Sequence, residues 1–156
     1  MEDGMDCIFQ WTDGDDPVFR RFYDVTEAFY SQIAGGLNKR RAFVPYNASA
    51  AIPDVLLAFC DGTAAGCAGL KRYSDTDAEV KRLWVEPAFR GRGIATGLME
   101  RLEEKAKRQG YRRLILQTRP AMTAAVALYE SRGYRLIPNY PPYDKLDGAV
   151  CYCKTI

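Results

Sequence analysis

The residues of this chain with the most legible chemistry are those of Val85-Glu86-Pro87-Ala88-Phe89-Arg90-Gly91-Arg92-Gly93-Ile94-Ala95-Thr96-Gly97, which read as a strand end, a turn, a glycine-rich loop and a helix start. Such a junction suits an anion. The first turn of a helix leaves backbone N–H groups without partners and carries about half a positive elementary charge, so phosphate oxygens are well received there. Gly91 and Gly93 carry no Cβ to hold a ligand off the backbone, and both tolerate positive φ. The dinucleotide fingerprint G-x-G-x-x-G fails, since Thr96 stands three residues after Gly93, and the G-x-x-x-x-G-K-[ST] loop of nucleotide triphosphatases is absent. A glycine pair before an amphipathic helix also serves as a plain tight connection, and the loop alone leaves both readings open.

The chain has no histidine, which removes Ser-His and Cys-His pairs, every His-containing metal site and the usual imidazole acid or base. No metal is expected. Cys7, Cys60, Cys67, Cys151 and Cys153 make an odd number with no C-x-x-C pair, and Cys151-x-Cys153 has strand spacing, read as ordinary packing. With 22 basic and 20 acidic residues interleaved, the net charge of +2 gives no basic stripe, so nucleic acid is not an expected partner. Lys39-Arg40-Arg41 is read as a solvated loop, with an anionic ligand as the alternative. No apolar run approaches the roughly 20 residues of a membrane span. The acidic start Met1-Glu2-Asp3 lacks the order of a signal peptide, so a cytoplasmic protein without membrane contact is expected.

These residues need elements to hold them. At 156 residues the chain fits one domain, taken as 1–156. Cys7 to Trp11 reads as a strand, and Asp15 or Asp16 caps a helix that starts with Pro17 and runs to about Ala34, stopped by Gly35-Gly36. Leu37 to Pro53 has turn formers and no period, so a loop with a turn of helix is expected. Val55 to Cys60, Ala64 to Tyr73 and Ala78 to Val85 read as an antiparallel meander. Ile94, Leu98, Leu102 and Ala106 recur on one face of a helix that Gly110 ends. Leu114 to Thr118 is a strand, Met122 to Arg132 a helix, and Arg135 to Ile137 and Val150 to Lys154 are final strands around Pro138 to Pro142.

Arg90-x-x-Gly93-x-Ala95 matches the [QR]-x-x-G-x-[GA] signature of the GNAT superfamily of N-acetyltransferases. Val85-x-Pro87, the run Glu79 to Leu83, and Ala125-Val126-Ala127-Leu128-Tyr129-Glu130-Ser131-Arg132-Gly133-Tyr134 resemble the same superfamily, over a region from about Val55 to the C-terminus. The resemblance implies an α/β (α+β) fold: a mixed, mostly antiparallel central sheet with a splayed strand pair, flanked by helices. It implies acetyl-CoA as co-substrate, an amine of a small molecule or peptide as acceptor, and direct transfer in a ternary complex. A homodimer is within its range. The alternative is a non-catalytic module that binds acyl-CoA or a partner protein.

Site roles carry over by position. Leu83, Trp84 and Val85 would meet pantetheine through the main chain. Arg90, Gly91, Arg92, Gly93, Ile94, Ala95 and Thr96 would hold the pyrophosphate, mostly by N–H groups. Glu79 takes the place of a glutamate base, against the reading of a surface glutamate paired with Lys81 or Lys71. Tyr129 takes that of the acid for the departing thiolate, against a core tyrosine. Met122 stands where many members have an asparagine that touches pantetheine. Tyr73, Tyr140, Tyr143 and Arg82 would line the acceptor site, with Arg82 suited to grip a carboxylate in two-pronged fashion, or the tyrosines would pack the C-terminal sheet.

Overall fold

The meander expected from the three strand-like runs forms the centre of a seven-stranded sheet of order β1-β2-β3-β4-β5-β7-β6. The computed structural model describes residues 6–33 and 49–156. Its strands are β1 (Cys7–Thr12), β2 (Asp54–Cys60), β3 (Thr63–Arg72), β4 (Asp77–Val85), β5 (Arg113–Thr118), β6 (Arg135–Ile137) and β7 (Val150–Thr155). The helices are α1 (Pro17–Ile33), α2 (Ile94–Arg108) and α3 (Thr123–Ser131). The Gly35-Gly36 stop, the Lys39-Arg40-Arg41 cluster and most of the expected loop lie outside the described residues; its end includes a 3-10 turn at Ser49–Ala51.

Both faces of the sheet are covered, which is why β2 reads as an unbroken apolar run rather than an alternating one. Leu56, Ala58 and Cys60 of β2 pack on the side of α2, with Leu98, Met99 and Leu102 of that helix fully buried. Val55 and Leu57 turn to the other side and meet Phe19 and Phe22 of α1. Cutting a leucine such as Leu98 to alanine in this setting costs about 2–5 kcal/mol, by lost transfer energy and the cavity left behind. Asp16 caps α1 as its position suggested: Oδ1 accepts from Val18 N at 2.8 Å and Phe19 N at 3.2 Å. Cys7 and Cys60, cross-strand partners in β1 and β2, form a disulfide that their sequence spacing did not announce.

Two irregularities in β4 set the geometry of the sheet's centre. From Cys67 to Gly69 β3 advances two positions while β4 advances three, from Trp84 back to Lys81, so β4 carries one extra residue; Arg82 takes φ 57° there. A bulge re-aims side chains. Lys81 and Arg82, though adjacent, both come to the α1 side of the sheet, where Arg82 bonds Thr26 and Lys81 bonds Tyr143. Leu83 and Val85 then pack toward the α2 side. The second irregularity is the parallel pairing of β4 with β5, limited to Asp77↔Arg113, Ala78↔Leu114 and Glu79↔Ile115. Beyond it β4 follows β3, while β5 follows β7 along its whole length, and the two strands part. At the closed end Asp77 accepts Arg113 Nε at 3.0 Å and Nη2 at 2.6 Å, a bidentate clamp.

Candidate acetyl-donor site

β4, the start of α2 and the segment that follows β5 border a cavity of about 380 Å³. Leu83, Trp84 and Val85 form one wall, and the β5–α3 connection with the first turns of α3 forms another, through Met122, Ala125 and Leu128. The Gly91–Thr96 segment closes it at the head of α2. Gly93 is the N-cap of that helix, at φ 81° and ψ 8°, and no side chain caps the first turn. The first turn contains no acidic residue, while Lys105, Lys107 and Arg108 crowd the last turn, so the helix presents its positive end to the cavity without an internal anion to compete. A Cβ built on Gly91 or Gly93 meets no protein atom within 4 Å, so crowding does not require these glycines. Their φ values of 78° and 81° do, and the space over the loop is left for a ligand. The cradle therefore fits a phosphate group held by backbone amides.

Of the residues expected to hold the donor, all but Arg92 line this cavity. Arg90 is there in a different capacity from the amides around it. Its N–H bonds Pro87 O, its Nε bonds Val85 O at 2.8 Å, and its guanidinium lies 4.8 Å from the Trp84 ring. Arg90 thus braces the loop against β4. Trp84 is fixed from two further directions: Nε1 donates to Glu86 Oε2 at 2.8 Å, and Phe29 of α1 packs at 5.4 Å between ring centroids. Phe29 was not singled out in the sequence, although Phe19, Phe22, Thr26 and Phe29 recur at helical spacing. Phe89 and the stretch Ala121 to Ala125 complete the lining, and Met122 stands in the wall itself.

On the α1 side of β4 lies a second polar group. Glu79 is 6% exposed, so it is not a surface glutamate. Its Oε2 accepts the Tyr140 hydroxyl at 2.7 Å and its Oε1 lies 3.2 Å from Lys81 Nζ. Tyr73 and Tyr143 flank Tyr140 edge-on, at 5.0 and 5.5 Å between centroids. Burial, and then the charge of Glu79, pushes the hydroxyls of Tyr140 and Tyr143 above the ordinary phenol value, so both stay protonated as donors. The three tyrosines named from the sequence are thus brought together around Glu79.

Arg82 is not with them. Its guanidinium lies on the Tyr23 ring at 4.1 Å, bonds Thr26 Oγ1 at 3.0 Å and forms an ion pair with Glu27. The bulge turns it to α1, and the carboxylate-gripping role expected of it is already filled from within the chain. Tyr129 is placed in the core, 6% exposed, with its ring 5.8 Å from Tyr134 and 6.4 Å from Tyr152. Its helix neighbours Ala125 and Leu128 line the cavity, and Tyr129 does not. Among the described residues no group of three or more His, Cys, Asp or Glu side chains is arranged to hold a metal ion, and no helix is long and apolar enough to cross a membrane.

Comparison with known proteins agrees with this geometry. The chain is 36% identical over 96 residues to the IAA acetyltransferase of Azospirillum brasilense, a match covering 58% of this chain and 61% of that protein. It is also 36% identical over 94 residues to the N-alpha-acetyltransferase RimI of Mycobacterium tuberculosis, covering 58% of each. The matched region thus spans less than two thirds of either relative. In fold, the PaiA N-acetyltransferase of Thermoplasma acidophilum, solved in complex with coenzyme A, superposes with a TM-score of 0.72 at 16% identity, over 97% of this chain and 99% of that one. The family match runs over residues 7–134, so it takes in β1 and α1, upstream of the region where the motifs are concentrated. By that match, together with a splayed β4–β5 pair and a glycine-capped α2, the chain belongs to the acetyltransferase (GNAT) family.

Proposed function

We propose that the chain is an acetyl-CoA-dependent N-acetyltransferase that passes the acetyl group directly to a primary amine in a ternary complex. The observation that carries the reading is the cavity where β4 meets the uncapped start of α2. Acetyl-CoA supplies an activated thioester. The amides at the head of α2 bind its pyrophosphate, and the main chain of Leu83 to Val85 orients its pantetheine arm along β4. An amine with a pKa of about 10.4 is an ammonium at neutral pH and must lose a proton before it attacks. Glu79 takes that proton from the face of β4 opposite the α2 side, and Tyr129 returns one to the leaving thiolate. Support for Tyr129 is its place on α3 beside the wall residues Ala125 and Leu128.

The acceptor is defined by the arrangement only as a class. With Arg82 engaged by Glu27, an acid-bearing amine loses its main support, and an amine without a carboxylate suits the tyrosine-lined surroundings of Glu79. A cytoplasmic location belongs to the same proposal; in that reducing compartment Cys7 and Cys60 would stand as neighbouring thiols. A panel of amino acids, polyamines and free peptide N-termini, read by thiol release from acetyl-CoA, tests the function. Turnover with at least one amine class is expected. Acetyl-CoA binding without turnover across the panel would instead favour the non-catalytic module.

A further inference from the structure

Lys81 is a buried lysine outside the donor cavity, 5% exposed. An ammonium sheds its hydration at high cost, so one in such a place is held by specific partners. Lys81 Nζ lies 3.2 Å from Glu79 Oε1 and donates to the Tyr143 hydroxyl at 2.6 Å. The bulge supplies the reason for this pairing. It brings two cations, Lys81 and Arg82, to one side of the sheet, and each meets its own carboxylate: Glu27 of α1 takes Arg82, and Glu79 is left to Lys81. The two oxygens of Glu79 are therefore unlike. Oε1 faces the Lys81 ammonium, whereas Oε2 accepts the neutral Tyr140 hydroxyl at 2.7 Å.

We propose that Lys81 is a positioning residue for proton transfer at Glu79: its ammonium holds Oε1 and the charge of the carboxylate, so that Oε2, steadied by Tyr140, receives the proton of the attacking nucleophile. The inference rests on the acetyltransferase reading above. In the step itself Glu79 Oε2 takes the nucleophile's proton as the nucleophile's lone pair bonds the acetyl carbon and the carbon–sulfur bond breaks, the thiolate taking a proton from Tyr129. The groups that act on the pair are Lys71 of β3, Arg82 of β4, Tyr73, Tyr140 and Tyr143 around the carboxylate, and Cys151 of β7. Burial pushes the Lys81 ammonium below its usual pKa; Glu79 works against that, while Lys71 and Arg82 add to it.

Two measurements on the full chain test the role. In protein labelled with 13Cε-lysine, with the Lys81 resonance assigned by its absence in Lys81→Arg, Glu79→Gln should make Lys81 lose its proton about 1–3 pH units lower than in the wild type. A Lys81 titration indifferent to Glu79→Gln overturns the pairing. The second measurement is thiol release from acetyl-CoA with water as the acceptor, followed against pH. Lys81→Met should move the acid limb of kcat/KM upward by about one unit or more, while Lys81→Arg keeps it near the wild-type position. A limb that stays in place in Lys81→Met overturns the role even if activity falls; should that variant not fold, the lysine titration decides. Calorimetry with acetyl-CoA separates this role from the function on which it rests. Normal binding with an unmoved limb removes this inference alone, whereas no binding by the wild type removes the reading beneath it.

Discussion

Gly93 joins the backbone of the loop to the helix proposed to receive the anion, and replacing it separates the strain of the fold from the fit of the ligand. At φ 81° it lies in the left-handed region, where a residue with a Cβ costs about 1–2 kcal/mol. No protein atom lies within 4 Å of that added Cβ, so Gly93→Ala should be destabilised by the backbone term alone. At roughly 2–4 °C per kcal/mol for a chain of this length, the melting temperature falls by about 2–8 °C. In the proposed cradle the same methyl group should interfere with a phosphate held by the amides of Gly93 to Thr96. Losing one charge-assisted phosphate bond of about 1.5–3 kcal/mol weakens acetyl-CoA roughly 10- to 150-fold. Gly93→Asn is the control, since asparagine tolerates the left-handed region: it should recover much of the stability and little of the affinity. Differential scanning calorimetry and titration calorimetry give the two numbers. If Gly93→Ala binds acetyl-CoA within twofold of the wild type, the loop is only a turn and the cradle reasoning fails.

Tyr129→Phe should lower turnover with the acceptor found by the amine panel by about 100-fold or more, with acetyl-CoA affinity unchanged by calorimetry; unchanged turnover would place the acid elsewhere. Asp77→Asn should destabilise the fold by about 1 kcal/mol in urea unfolding at pH 7, a modest value because Arg113 is 47% exposed and screened by water. The bonds from Arg113 hold the Asp77 carboxyl below its usual pKa, so this stability is present above the unfolded pKa of about 3.9 and lost as pH falls through the folded one. Wild type and variant should therefore begin to converge as pH falls below about 4 and coincide once it is below the lowered folded pKa of Asp77, and a difference that does not shrink on acidification would contradict the clamp.

Much of the fold was legible because the strands are short apolar runs ended by turn residues with a physical duty. Asp61 and Gly62 both take positive φ in the turn between β2 and β3, and Gly110 and Gly133 take it after α2 and α3. The β4 bulge was not legible: Lys81-Arg82 reads in sequence as one residue on each face, and only the register with β3 turns both to one side. That single residue explains why Arg82 was expected near an acceptor and is found on α1. The donor loop could be read because its residues are consecutive, while Phe29 comes from a distant helix and Glu79's neighbours Tyr140 and Tyr143 from a loop some 60 residues on. The hub at Glu103 was hidden for the same reason. Burial pushes its carboxyl up, but bonds from Arg132, Lys154 and Tyr134 outweigh that and hold it below its usual pKa, joining α2 to the end of α3 and to β7.

The central claim is that the cavity between β4, the head of α2 and the β5–α3 connection receives acetyl-CoA. Titration calorimetry of the wild-type chain with acetyl-CoA, with NADH and ATP as controls, tests it before any acceptor is known. The predicted result is one acetyl-CoA per chain with a Kd on the order of micromolar, about −8 kcal/mol, and no comparable heat from either control. Absence of acetyl-CoA binding, or equal binding of all three, would contradict it and leave the family membership as a statement about fold.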